Sequence, residues 1–346
     1  MKKIAVCFLA FTGASLLTGE VAYARDQIQI AGSSTVLPYA KIVAEAFGDI
    51  YPDYKIPVIE SGGTGAGIKE FCRGVGVNTI DIVNASRRIE AGELTSCKTA
   101  GVGEVQEVRF GYDGIVLAGD ISGQAWNLTP QDVYKALAAQ VVVNGRLQKN
   151  PAKKWAEVNA ALPDREIAAY LPGGKHGTRE VVENELLLAG CKASGAFAAL
   201  KTHGLNETAA KNACIAVRKD GRVVDIDGDY SETLARVTAN KTGIGVFGLS
   251  FYENNADKLQ VVRINGVVPT AQTIVSGEYA VSRPLYFYVK KAHLGVIPGL
   301  QDYVTFFLSD SMVGPDSPLV DYGLIAAPGH EREIQRKKFA AGETLH

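Results

Sequence analysis

The stretch Ile28-Gln29-Ile30-Ala31-Gly32-Ser33-Ser34-Thr35-Val36-Leu37-Pro38 decides the fold. Residues 28–31 form an apolar strand that runs straight into a Gly-Ser turn, and from Pro38 to Ile50 the apolar residues Val43, Ala44, Ala46 and Phe47 recur at helical spacing. The same unit follows at once: a strand over 56–59, the turn Ser61-Gly62-Gly63-Thr64-Gly65-Ala66-Gly67-Ile68-Lys69, and a helix opening over 67–72. A third copy has a strand over 167–171, the turn Gly173-Gly174-Lys175-His176-Gly177-Thr178-Arg179 and a helix over 179–189. Strands alternating with helices through short turns predict an α/β fold. Glycine permits the φ > 0 geometry that lines up successive amides, Ser and Thr add hydroxyl donors, and a helix start adds its positive dipole end. Three such turns predict capture of one small oxyanion.

Further strands are expected over 80–85, ending at Ser86-Arg87-Arg88, and over 105–110 and 114–118, with Gly111-Tyr112-Asp113 as the crossover into a second lobe. A helix is expected over 129–139, with Thr129 as its N-cap and Pro130 at its first position. A helix over 231–239, a recrossing strand over 243–249 and a strand over 285–289 complete the pattern. Tyr286, Phe287 and Tyr288 are read as core, and the charged stretch 330–338 as a solvated final helix.

Residues 1–24 read as a cleavable signal peptide: Lys2 and Lys3 are the charged start, 4–17 the apolar stretch, and Ala22-Tyr23-Ala24 the cleavage site. The apolar stretch is shorter than the ~20 residues a membrane span needs. Removing it takes away Cys7 and leaves Cys72, Cys97, Cys191 and Cys214 in an oxidising compartment. Their spacing suits two local disulfides, Cys72 with Cys97 and Cys191 with Cys214; no C-x-x-C supports a zinc site. The chain of 346 residues is long for one compact domain, so two lobes are the default. With 36 Lys and Arg against 37 Asp and Glu, it has no basic surplus for nucleic-acid binding.

Several phosphate chemistries are excluded. Gly67 is followed by Ile68, Lys69 and Glu70, so the P-loop's Gly-Lys-Ser/Thr is absent, and Gly63, Gly65 and Gly67 do not have dinucleotide spacing. Gly248-Leu249-Ser250 lacks the second Gly of a nucleophile elbow. Five His residues without H-x-H or H-E-x-x-H spacing give no metal centre. No cofactor or metal is expected.

Taken in order, Ala31-Gly32-Ser33-Ser34-Thr35-Val36-Leu37-Pro38, the stretch 62–71, Asp81-Ile82-Val83-Asn84-Ala85-Ser86-Arg87, Gly177-Thr178-Arg179-Glu180, Gly243-Ile244-Gly245-Val246-Phe247 and Ser282-Arg283-Pro284-Leu285-Tyr286-Phe287-Tyr288-Val289 resemble the periplasmic phosphate-binding proteins that serve ABC importers. The resemblance implies a two-lobed, type II binding-protein fold that crosses twice between lobes, with lobe one over 26–113 and 250–346 and lobe two over 114–249. It implies a monomeric, non-enzymatic, periplasmic protein that holds inorganic phosphate and delivers it to a membrane permease. Residue by residue, it implies contacts from Ser34, Thr35 and the Val36 amide, from Thr64 and Gly65, and from His176, Gly177 and Thr178. Arg87 and Arg179 are expected to neutralise the anion through bidentate pairing. Two departures stand out: His176 occupies a place where serine is common, and Arg87 one where the best-known members carry the aspartate that accepts the proton of hydrogen phosphate. An arginine cannot accept that bond. Alternatives are the same device for sulfate, tungstate or a phosphonate, and a secreted phosphoester hydrolase using His176 with a hydroxyl nucleophile.

Overall fold

A computed structural model of the chain describes residues 25–143, 146–174 and 176–346. The expected signal peptide and Lys175 lie outside these residues. The first unit is β1 (Gln29–Gly32), α1 (Leu37–Ile50), β2 (Val58–Ser61), α2 (Thr64–Phe71), β3 (Ile82–Ala85) and α3 (Ala91–Thr99). β1 lies between β2 and β3, parallel to both. Glycine makes this packing possible. A Cβ on Gly32, which sits at φ +134°, would fall 2.2 Å from the Asn84 carbonyl oxygen, and one on Gly67 would fall 2.4 Å from the Gly32 Cα, so α2 lies directly on β1.

The next strand, β4 (Val105–Asp120), is one continuous element where two strands and a crossover were expected. Every residue from Phe110 to Asp120 is buried, so nothing in the Gly111-Tyr112-Asp113 segment releases the chain to solvent. Then come β5 (Ala169–Pro172), α4 (Gly177–Val181), β6 (Val223–Ile226), α5 (Tyr230–Ala239), β7 (Ile244–Gly248), β8 (Leu259–Val261), β9 (Ser282–Lys290), β10 (Ile325–Ala326) and α6 (Gly329–Ala340). Among the described residues ten strands join in the order β2-β1-β3-β9-β4-β7-β5-β6, with β8 and β10 also paired to β4. The first part of β4 pairs antiparallel with β9, and its last part with β7 and β8. β4 is therefore the strand common to two cores.

One core joins Ile28, Val43, Phe47 and Phe110 to Phe287, Tyr303 and Phe307; the other joins Val116, Leu128, Val181, Leu187, Val246, Leu259, Ile274 and Val281. The packing differs from the sequence reading in one respect. Residues 249–281, assigned to the first lobe from Ser250 onward, contribute Leu249, Leu259, Val262, Ile264, Ile274, Tyr279 and Val281 to the second core. β7 does not recross either: it stays between β4 and β5. The chain returns at Ser282, where β9 pairs with Gly114 of β4.

Both expected disulfides are present, Cys72–Cys97 and Cys191–Cys214, each within one core region. Thr129 caps its helix reciprocally with Asp132, and Tyr286, Phe287 and Tyr288 are buried, as expected. The final helix is less detached than its charge suggests, because Glu331 takes bonds from Arg109 at 2.5 Å and the Tyr112 hydroxyl at 2.8 Å, and Phe339 is buried.

Beneath the first core lies a buried ionic group. Asp81 accepts from the Gln29 amide and from Arg25, and pairs at 2.6 Å with His293, whose other ring nitrogen accepts from the Gly76 amide. Lys290, fully buried beside it, donates to Thr79 and lies over the Phe71 ring. Burial pulls its ammonium pKa down to about 8. Since the unfolded chain keeps this proton to about pH 10.4, the unfolded state binds more protons between those values, and stability should rise with pH there. Denaturant melts from pH 7 to 10.5 should show that rise in the wild type and a flatter profile in Lys290→Met. Gly67→Ala, which drives a methyl into the Gly32 backbone, should cost about 1–3 kcal/mol in the same melts.

Candidate functional site

Two of the three turns meet. In the first, the Ser33 amide donates to the Asn84 carbonyl at 2.9 Å and the Ser33 hydroxyl accepts from the Val36 amide at 3.4 Å. α1 then starts without a side-chain cap: the Leu37 amide donates to the Ser33 carbonyl at 3.1 Å, and Pro38 has no N–H. In the third turn, the Gly173 amide is tied to the Ile226 carbonyl and the His176 amide to the Gly173 carbonyl. α4 likewise starts without a side-chain cap and runs on through a π-helical segment, Val182–Leu188. Gly177 packs on Thr35 so closely that a Cβ would fall 2.8 Å from the Thr35 Cα and 2.1 Å from its hydroxyl oxygen. Only glycine fits at that contact.

Arg283 secures it. The guanidinium donates to the Thr35 hydroxyl at 2.6 Å and to the Gly177 carbonyl at 3.1 Å, with Glu180 at 3.4 Å and Asp113 at 3.6 Å. The sheet register puts Arg283 directly opposite Asp113, so the two strands that link the cores bring this pair to the floor of the cleft. Burial pushes the Asp113 carboxyl pKa above the ordinary range, against the pull of Arg283.

Above the floor is a cavity of about 480 Å³. Its walls take Ser34, Thr35, Tyr39 and Asp113 from one side, His176, Gly177, Thr178, Asp229 and Tyr230 from the other, and Ser250, Tyr322 and Gly323 from later in the chain. The Thr178 hydroxyl bonds to that of Tyr230 at 2.9 Å, and burial pushes the Tyr230 phenol up to about 12. His176 is exposed, with Nε2 3.4 Å from the Asp227 carbonyl. The groups offered to a ligand are the hydroxyls and backbone of two facing turns and one buried carboxylate. That set suits a compact oxygen-rich anion.

Of the residues expected to bind, Ser34, Thr35, His176, Gly177 and Thr178 reach the cavity. Five do not line it, and each has a physical reason. Val36 is fully buried, with its amide turned to Ser33. Thr64 is buried against Ser86, taking its amide and pairing with its hydroxyl, while the Gly62 and Gly63 amides both donate to the Gly32 carbonyl. The second turn thus closes on the neighbouring strand β1, carrying Gly65 with it, and a guanidinium near it is that of Arg87. Arg87 is held bidentately by Glu93 at 2.7 and 2.8 Å, with Glu90 at 3.6 Å. Arg179 is buried and bound to Glu183, Asp225 and the Pro172 carbonyl. Both expected anion-neutralising arginines are already neutralised by carboxylates. Sequence reasoning missed Arg283, Asp113, Tyr39, Tyr230 and Tyr322; the conspicuous Ser282-Arg283-Pro284 at a strand start was the available signal for the first.

Residues 19–311 match the PBP superfamily domain. A phosphate-binding protein PstS of Staphylococcus epidermidis is 31% identical over 302 residues, which is 86% of this chain and 78% of that relative. The PstS of Staphylococcus aureus is 29% identical over the same length. Among solved structures, a possible phosphate binding protein from Planctomyces limnophilus superposes with a TM-score of 0.69 at 26% identity, covering 92% of this chain and 99% of that one. An ABC-type phosphate transport receptor from Vibrio cholerae, at 18% identity and a TM-score of 0.60 over 87% of this chain and 100% of its own, shares the fold. Two cores joined through paired linking strands, a cleft built from facing turns and these relatives agree: the chain belongs to the PBP superfamily, in the family of the PstS phosphate-binding proteins.

Proposed function

We propose that this protein captures inorganic phosphate in the cleft between its lobes and delivers it to the membrane permease of an ABC importer. The observation that carries the reading is the meeting of the first and third turns at the Thr35–Gly177 contact, with Arg283 between them. Amides and hydroxyls from both sides would surround the anion, and closure would be what the permease recognises. The PstS names of the relatives support phosphate as the ligand. We take lobe one as residues 26–113 with 282–346, and lobe two as 114–281, following the packing of 249–281 on the second core. A periplasmic location and a monomeric state belong to the same reading. No helix among the described residues is long and apolar enough to cross a membrane. The hydrolase alternative needs a base oriented toward a nucleophile, and His176 turns its Nε2 to a carbonyl instead.

Asp113 is the buried carboxylate on the cavity wall, and we assign it the acceptance of the hydrogen phosphate proton. Sulfate has no such proton to give. As pH falls through the raised Asp113 pKa, the carboxyl protonates and stops accepting, so the preference for phosphate over sulfate should shrink toward acid pH. Calorimetry on ligand-stripped protein should show that trend in the wild type, with a flat and low preference in Asp113→Asn. A preference that is lost in His176→Ser and kept in Asp113→Asn would overturn this assignment and give the role to the imidazole.

In the same titrations Thr178→Val should lose about 1.5–3 kcal/mol of phosphate binding, the worth of a hydrogen bond to a charged group. Arg87→Ala should lose less than Thr178→Val, because its guanidinium already belongs to Glu93. Gly177→Ala should weaken binding at least tenfold by wedging the turns apart. Absence of phosphate binding in the wild type would overturn the reading.

A further inference from the structure

We infer that His293 is an acid-sensitive latch on the loop 73–79, a device of the first lobe that does not depend on the phosphate reading. The ring is 2% exposed, with Nδ1 2.6 Å from the Asp81 carboxylate and Nε2 accepting from the Gly76 amide at 3.1 Å. Asp81 also accepts from Arg25 and from the Gln29 amide, so in its pair with His293 the ring is the donor. Both ring bonds form together only in the neutral imidazole that carries its proton on Nδ1. A second proton must go to Nε2. The imidazolium keeps Asp81 through a charge-assisted bond, but at Gly76 one N–H then faces another. The Gly76 amide has to leave.

The loop is built to respond. Burial does not pin it, since Val75 and Val77 are 48% and 43% exposed, and a cavity of about 280 Å³ lined by Val75, Val102, Glu104, Lys290 and Ala292 gives it room to move. Gly74 and Gly76, at φ +139° and +140°, give the backbone its freedom on both sides of Val75. The later end of the loop is tied in another way. Arg25 donates to the Val77 and Thr79 carbonyls at 3.1 and 2.8 Å, and Lys290 donates to the Thr79 hydroxyl at 2.8 Å. Falling pH leaves both of these donors charged. With Asp81 they are the charged groups around the ring; Arg73 with Glu70, and Lys291 with Glu104, are exposed pairs on the same elements. Acid release is therefore confined to the stretch around Gly76.

Ring nitrogen shifts and amide exchange of the mature chain, followed by NMR from about pH 7.5 to about pH 5, test this. Corrected for intrinsic rates, exchange should quicken about tenfold or more at Gly76 as the ring gains its second proton. Thr79, whose amide donates to the Gly76 carbonyl at 3.0 Å, should follow with the same midpoint, while the amides of β3 stay protected. His293→Gln, which keeps a donor and an acceptor and takes up no proton, should show no such step; a step of the same size there overturns the inference. Should that variant not fold, the wild type decides alone. A ring that becomes imidazolium with Gly76 still protected overturns the inference, as does a ring that stays neutral down to the pH at which β3 itself loses protection.

Discussion

A single guanidinium holds the functional face together. Arg283 reaches the Thr35 hydroxyl on one side of the cleft and the Gly177 carbonyl on the other, and it does so from a strand position opposite Asp113. Burying that charge is tolerable only because oxygens surround it, including two carboxylates at 3.4 and 3.6 Å. The two turns therefore depend on an ion-pair cluster that neither of them contains. Without Arg283, the facing Thr35 hydroxyl and Gly177 carbonyl would lose their common donor just where the chain has no room for a side chain at 177.

Much of this was legible in the sequence. Strand, Gly-rich turn and helix start follow from short-range chemistry, and β1, α1, β2, α2 and β3 occur where local pattern puts them, with ends shifted by a few residues. The disulfides follow from four cysteines at short spacing. Five of the ten expected binding residues line the cavity, all from the first and third turns. The second turn looks the same in sequence, yet its amides go to the Gly32 carbonyl and its threonine to Ser86, partners far away in sequence for Thr64 and unmarked by any motif.

The two conspicuous arginines are taken by carboxylates both near and far. Arg87 and Arg179 are adjacent to Ser and Thr in attractive motifs, but Glu93, a few residues on, takes the first, and Glu183 on the next helical turn with the distant Asp225 takes the second. Conversely, the role of Arg283 depends on strand register with Asp113, far away in the sequence, which no local reading reaches. The continuous β4 was hidden for a related reason. Gly111 and Gly114 read as breaks, whereas they are there because Leu324, Ile325 and Ile274 press on the strand where a Cβ would sit.

Those two glycines have a consequence beyond packing. Because β4 is common to both cores, and β9 and β10 lie against it at the same level, the lobes can change their relative angle only by twisting this short ribbon. Leu324, Ile325 and Ile274 pack against it where a Cβ on Gly111 or Gly114 would sit, and none of them lines the cavity. Ligand retention can then drift between relatives through substitutions at the ribbon, with every group that touches the anion left as it was. Two proteins with identical turns need not release their cargo at the same rate.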